Sequence, residues 1–194
     1  MFEICKKLAK TQKIISERAN IMKVILNAGH TKNGSGSGVV GYINESTEAR
    51  RVVSLVKHYL KGKGHTVVVA NVDKAESQNA YLQKVVAKAN EQKNADLFVS
   101  IHFNAGGGYG TECYTWKGKK TAPADGICEE LHELGFRNRG VKDGSSFYVI
   151  RKTKMPAVLV EVCFADSLID WDRYEKATVN KVAQAITRGM LRKD

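Results

Sequence analysis

Asp96-Leu97-Phe98-Val99-Ser100-Ile101-His102 is the stretch that decides the fold. Leu97-Phe98-Val99, with Ile101 after Ser100, make it a near-continuous run of β-branched and apolar residues. Strands apolar on both sides belong to sheets covered by helices on both faces. Two further runs read the same way: Met22-Lys23-Val24-Ile25-Leu26-Asn27, and Ala157-Val158-Leu159-Val160-Glu161-Val162-Cys163. Residues 66–70 add a shorter strand. Helices are predicted between them. One begins at Asn44 or Ser46 as N-cap, carries Val52, Val53, Leu55, Val56, Tyr59 and Leu60, and ends at Gly62 and Gly64. Others are expected over 77–90, 123–134 and 176–191, with short strands near 111–116 and 147–150. Alternating strands and helices predict an α/β class: a single three-layer domain with a mostly parallel, mixed sheet between helices. The domain reads as 22–194. Residues 1–21 read as an N-terminal helical extension, with Ile4, Leu8, Ile15, Ala19 and Met22 at helical spacing.

Three of the apolar strands run into a residue capable of metal or proton chemistry. The first leads to Gly29-His30, the third ends in His102-Phe103-Asn104, and the last carries Glu161. In an open parallel sheet, ligands bind outside the carboxyl ends of the strands. These residues are therefore expected to converge in one crevice. Two histidines and a carboxylate, with a fourth position left open, is a common catalytic zinc set. Glu45 stands where a glycine-rich loop meets a helix N-terminus, a place that favours negative charge. It is assigned as third ligand beside His30 and His102, with Glu48, one turn on, as its competitor. Glu161, flanked by Val160 and Val162, is assigned as general base. His58, His65 and His132 read as surface residues.

Composition narrows the partners. The net charge of +11, from 31 basic and 20 acidic residues, points to a polyanion: nucleic acid, an anionic membrane or an anionic wall polymer. No basic stripe with interleaved aromatics supports nucleic acid. No apolar run reaches the roughly 20 residues of a transmembrane segment. No signal-peptide core follows Lys6 and Lys7, so synthesis in the cytoplasm is expected, with release or export by another route. Cys5, Cys113, Cys128 and Cys163 lack metal or redox spacing, and Cys163 reads as a core residue. Gly36-Ser37-Gly38-Val39-Val40-Gly41 fits GxGxxG, but it starts about nine residues past its strand. It reads as a flexible rim rather than a nucleotide site. The residues carry no signal of oligomeric state.

The chemical residues, in order, resemble the zinc-dependent N-acetylmuramoyl-L-alanine amidases of phage endolysins and bacterial wall hydrolases. The likeness covers about 23–191 and rests on Gly29-His30, Glu45, Ser100-Ile101-His102-Phe103-Asn104-Ala105 and the run from Met155 to Phe164. It departs where many members have Asp-Pro and this chain has Asn27-Ala28, a change expected to weaken support for His30. It departs again at Cys163, where Gly is expected. The resemblance implies one Zn2+ held by His30, Glu45 and His102, with Glu161 as catalytic glutamate. It implies hydrolysis of the amide between N-acetylmuramic acid and L-alanine in peptidoglycan. Glu161 is expected to move a proton from water to the departing nitrogen. Asn104 and Arg151 are candidates for holding substrate, and the basic surface for attracting anionic wall polymers. The alternatives are a zinc peptidase of similar fold and a non-catalytic basic protein that binds wall or nucleic acid. The presence of Glu161 favours catalysis over both binding readings.

Overall fold

Nearly every side chain is buried in β1 (Lys23–Ala28), β3 (Leu97–Asn104) and β6 (Ala157–Phe164). Strands of this composition can only be interior ones. The computed structural model, which describes residues 21–33 and 36–193, places them at the centre of a six-stranded sheet of order β2-β1-β3-β6-β4-β5. β2 (Thr66–Val69), β1, β3 and β6 run parallel. β4 (Thr111–Thr115) is antiparallel to β6, and β5 (Asn138–Asp143) is parallel to β4. The expected mostly parallel, mixed sheet is what forms. The helical reading of residues 1–21 falls, but for Ile21, outside the described residues.

Helices cover both faces. Val24, Leu26, Val99, Ile101, Val158 and Val160 join a core with α1 (Glu45–Gly62), α3 (Ala122–His132) and α5 (Leu168–Met190). Ile25, Phe98 and Leu159 point the other way, into a smaller core with α2 (Gln78–Asn90) and α4 (Tyr148–Lys152). Two residues further along each strand, that second face carries Asn27, Ser100 and Glu161, and His102 two beyond Ser100. The polar site thus continues the apolar stripe at the carboxyl ends of the strands. α1 starts where it does because the Asn44 side chain accepts from Thr47 N at 3.1 Å. Such a cap is worth about 1 kcal/mol, and it sets Glu45 in the first turn.

Three local expectations are corrected. Residues 147–150 are not a strand: Tyr148–Lys152 forms a single helical turn that buries Val149 and Ile150 against the second core. The edge strand β5 was not expected, since Asn138-Arg139-Gly140-Val141-Lys142-Asp143 has no apolar run. The last helix begins at Leu168 rather than 176, and it is interrupted at Thr178, whose φ of 66° is not helical. Cys113, Cys128 and Cys163 are buried free thiols, consistent with Cys163 as a core residue.

Candidate metal centre and cleft

The turn after β1 is constrained from two sides. Gly29 packs its backbone on the His102 ring; a Cβ there would come within 2.2 Å of it. His30 then takes φ 66°, a left-handed conformation that costs a non-glycine residue roughly 1–2 kcal/mol. Arg50 of α1 holds it, donating through Nη2 to His30 O at 3.1 Å and through Nη1 to Ser46 O and Oγ. Asp73 anchors the same guanidinium from β2's far end.

Sequence-distant ligating atoms meet here. Glu45 Oε1 lies 3.2 Å from His30 Nε2 and 3.2 Å from His102 Nδ1. The three ligand atoms all fall within 4.8 Å of one another, so one ion could touch them all. Two imidazole nitrogens and one carboxylate oxygen, open toward the cleft, fit the donor set that zinc prefers at reactive sites. Glu45 is buried, and burial opposes its charge. The hydrogen bonds from His102 and His30 overcome this and hold its carboxyl far below the usual range. Burial works against protonation of His30, but the Glu45 partner leaves its pKa raised. The glycine-rich rim closes over this cluster. Val39 N donates to Glu45 Oε2 at 3.0 Å, and a Cβ on Gly38 would come within 2.5 Å of that oxygen. The GxGxxG segment is therefore a lid on the carboxylate.

Glu161 lies beside His102, its register partner across β3 and β6. Its Oε2 is sealed from water and has no hydrogen-bond partner among the described residues. Burial, and then the charges of Glu45 and Glu112, push its pKa up to about 8. Glu112, opposite Glu161 on β4, was not singled out from the sequence. It is buried yet ionised, its carboxyl held below the ordinary range: burial opposes the charge, and donors from Lys142, Arg139 and Tyr114 outweigh it. The signal that marked Glu161, a glutamate inside a buried strand, was present at Glu112 as well.

Asn104 and Arg151 both line the cleft of about 530 Å³ that opens beside His30, His102 and Glu161. The Asn104 amide is already engaged, donating to Glu112 Oε1 at 2.9 Å and accepting from Ala105 N. Arg151 is exposed and stands over the Tyr148 ring. Glu48 does not join the cluster; its carboxylate pairs with Arg51 and accepts from Tyr174. Asn27, expected to give His30 weaker support, has its side chain turned to Ser100 and Ala70 instead. Its Oδ1 accepts from Ser100 Oγ, and Ser100 Oγ contacts His102 Nε2.

The family model for N-acetylmuramoyl-L-alanine amidase matches residues 24–192. An uncharacterized protein of Clostridium perfringens is 35% identical over 181 residues, covering 89% of this chain and 52% of the relative. The amidase CwlM of Bacillus licheniformis is 30% identical over 178 residues, covering 89% of this chain and 68% of its own. Among solved structures, the catalytic domain of an endolysin targeting Clostridia difficile superposes with a TM-score of 0.81. It shares 27% identity, over 88% of this chain and 97% of that one. The chain spans about half the length of the first two curated relatives it matches. With the family model covering nearly all of the described residues, and the fold shared with a solved endolysin catalytic domain, the chain belongs to the N-acetylmuramoyl-L-alanine amidase family.

Proposed function

We propose that this chain hydrolyses the amide bond between N-acetylmuramic acid and the L-alanine of the stem peptide, as a zinc-dependent wall-lytic enzyme of the endolysin or autolysin type. The observation that carries the reading is the meeting of His30 Nε2, His102 Nδ1 and Glu45 Oε1 beside a buried Glu161. A zinc ion held by His30, Glu45 and His102 would supply Lewis-acid polarisation of a carbonyl and make water a stronger acid at neutral pH. The remaining chemistry belongs to the chain. An amide nitrogen leaves poorly as an anion, so it must gain a proton as the C–N bond breaks. Glu161, with a pKa raised to about 8 by burial and by Glu45 and Glu112, suits both directions of transfer near neutral pH. It takes a proton from the attacking water and delivers it to the alanine nitrogen.

Asn104 and Arg151, both lining the cleft, hold the substrate. The tie from Asn104 to Glu112 fixes its amide, while Arg151 offers an exposed cation to carbonyl or carboxylate groups of the stem peptide. The positive surface draws the enzyme to anionic wall polymers. No helix among the described residues is long and apolar enough to cross a membrane.

The test is metal analysis of the purified protein together with product identification after digestion of peptidoglycan. One zinc per chain and new L-alanine amino termini without new reducing sugars are expected. New termini elsewhere in the stem peptide would instead indicate a peptidase.

A further inference from the structure

The two histidines of the cluster face Glu45 with different ring nitrogens, His30 with Nε2 and His102 with Nδ1. What each histidine does with its other nitrogen is equally different. His30 Nδ1 lies 3.1 Å from Gly36 O. A carbonyl only accepts, so Nδ1 carries a hydrogen, and in the neutral ring that a metal would bind Nε2 is the nitrogen with the lone pair.

For His102 the same bookkeeping runs through two fully buried side chains. Nε2 is 3.0 Å from Ser100 Oγ, and Ser100 Oγ donates to Asn27 Oδ1 at 2.9 Å. Ser100 is 0% exposed and Asn27 1%. The serine hydroxyl owns one hydrogen. Once it is given to Asn27, the serine can only accept from His102, which places the hydrogen on Nε2. The direction of the chain is set at its far end. Asn27 Nδ2 points to Ala70 O at 3.4 Å, so an amide turned the other way would set two acceptors against each other. Tyr81 closes the network, donating to Ala28 O at 3.1 Å.

We infer that Ser100, oriented by Asn27, is the positioning residue that fixes the tautomer of His102, so that His102 offers Nδ1 and His30 offers Nε2 to the metal. This rests on the zinc reading above. It also gives Asn27 a role: the amide reaches His102 through Ser100, at the ligand across the cluster from the histidine its own strand leads to. Partners of this kind typically change metal affinity 10–100-fold when removed.

The experiment is zinc affinity by chelator competition on the full chain, with unfolding midpoints of the metal-free variants as the folding control. Ser100→Ala is expected to weaken zinc binding 10–100-fold. Asn27→Ala is expected to weaken it less, and to add nothing in the Ser100→Ala background, because it acts only through the serine. Unchanged affinity in Ser100→Ala, or losses that simply add, would overturn the inference. The wild-type protein provides a second readout that needs no variant. Two-bond proton–nitrogen correlations of its imidazoles, zinc-loaded, should show the hydrogen on Nε2 of His102 and on Nδ1 of His30. The same tautomer on both rings would overturn the inference while leaving the zinc reading intact. Wild-type protein that retains no zinc would overturn both.

Discussion

Replacing Glu161 with Gln should slow hydrolysis by orders of magnitude and, in the metal-free protein, raise stability in a way that depends on pH. Glu161 Oε2 is sealed and has no hydrogen-bond partner among the described residues, and the folded state raises its pKa from 4.5 to about 8. The sign follows from proton linkage. Between pH 4.5 and 8 the folded form holds a proton that the unfolded chain has released, so rising pH favours unfolding across that window. The destabilisation is absent below pH 4.5 and complete above pH 8. A shift of this size corresponds to roughly 5 kcal/mol. Gln matches the neutral acid in shape and does not titrate. Urea unfolding of chelator-treated wild type and Glu161→Gln, at pH 4, 6 and 9, reads the difference directly. The two should be similar at pH 4, and the variant should lead by several kcal/mol at pH 9. With zinc restored, the variant should bind the ion yet lose about 10²–10⁴-fold in kcat. A stability difference independent of pH would refute the strained, proton-holding state of Glu161.

Other consequences are accessible to simple assays. Gly29→Ala drives a methyl into the His102 ring, so zinc affinity measured by chelator competition should collapse and unfolding should come at lower urea. Wild-type zinc affinity in that variant would show that the turn after β1 gives way freely. Thr178→Gly relieves a positive φ inside α5 and should stabilise the protein by about 1 kcal/mol, strain relief of roughly 1–3 kcal/mol being partly offset by the freedom of glycine in the unfolded chain. A loss of stability in urea unfolding would mean that the Thr178 side chain holds the kink. Lytic rates on intact walls should fall steeply between low and high ionic strength, because the attraction of a +11 chain to anionic polymers is screened. Rates that ignore salt would remove the wall-polymer role of the basic surface.

The central strands were legible because burial on both faces leaves a mark that survives in one dimension: Val24-Ile25-Leu26 and Val158-Leu159-Val160 admit little else. The edge was not. β5 pairs on one side only, with β4, and its half-exposed residues include a single aliphatic, Val141. Tyr148-Val149-Ile150 misled for the converse reason, since aromatic and β-branched residues favour strands, while here one helical turn packs two of them on α2's side of the sheet. The start of α5 was hidden by Leu168 and Ile169, which are exposed, and by the break at Thr178.

In the site, the residues that announced themselves were polar groups ending apolar strands, His102 and Glu161, and the histidine and glutamate around the loop between them, His30 and Glu45. Their supports gave no such sign. Arg50 reaches His30 O from within a helix, and Ser100 looks like any small residue in a buried strand until Asn27 and His102 flank it in space. The role of Ser100 comes from register, Asn27 standing opposite Ser100 and His102 opposite Glu161, which no local pattern contains.

The most direct test is crystallography at the zinc absorption edge on the zinc-loaded protein. A single anomalous peak about 2.0–2.2 Å from His30 Nε2, His102 Nδ1 and a Glu45 carboxylate oxygen is expected. A peak bound elsewhere, or none after loading at neutral pH, would contradict the metal centre from which the proposed hydrolysis follows.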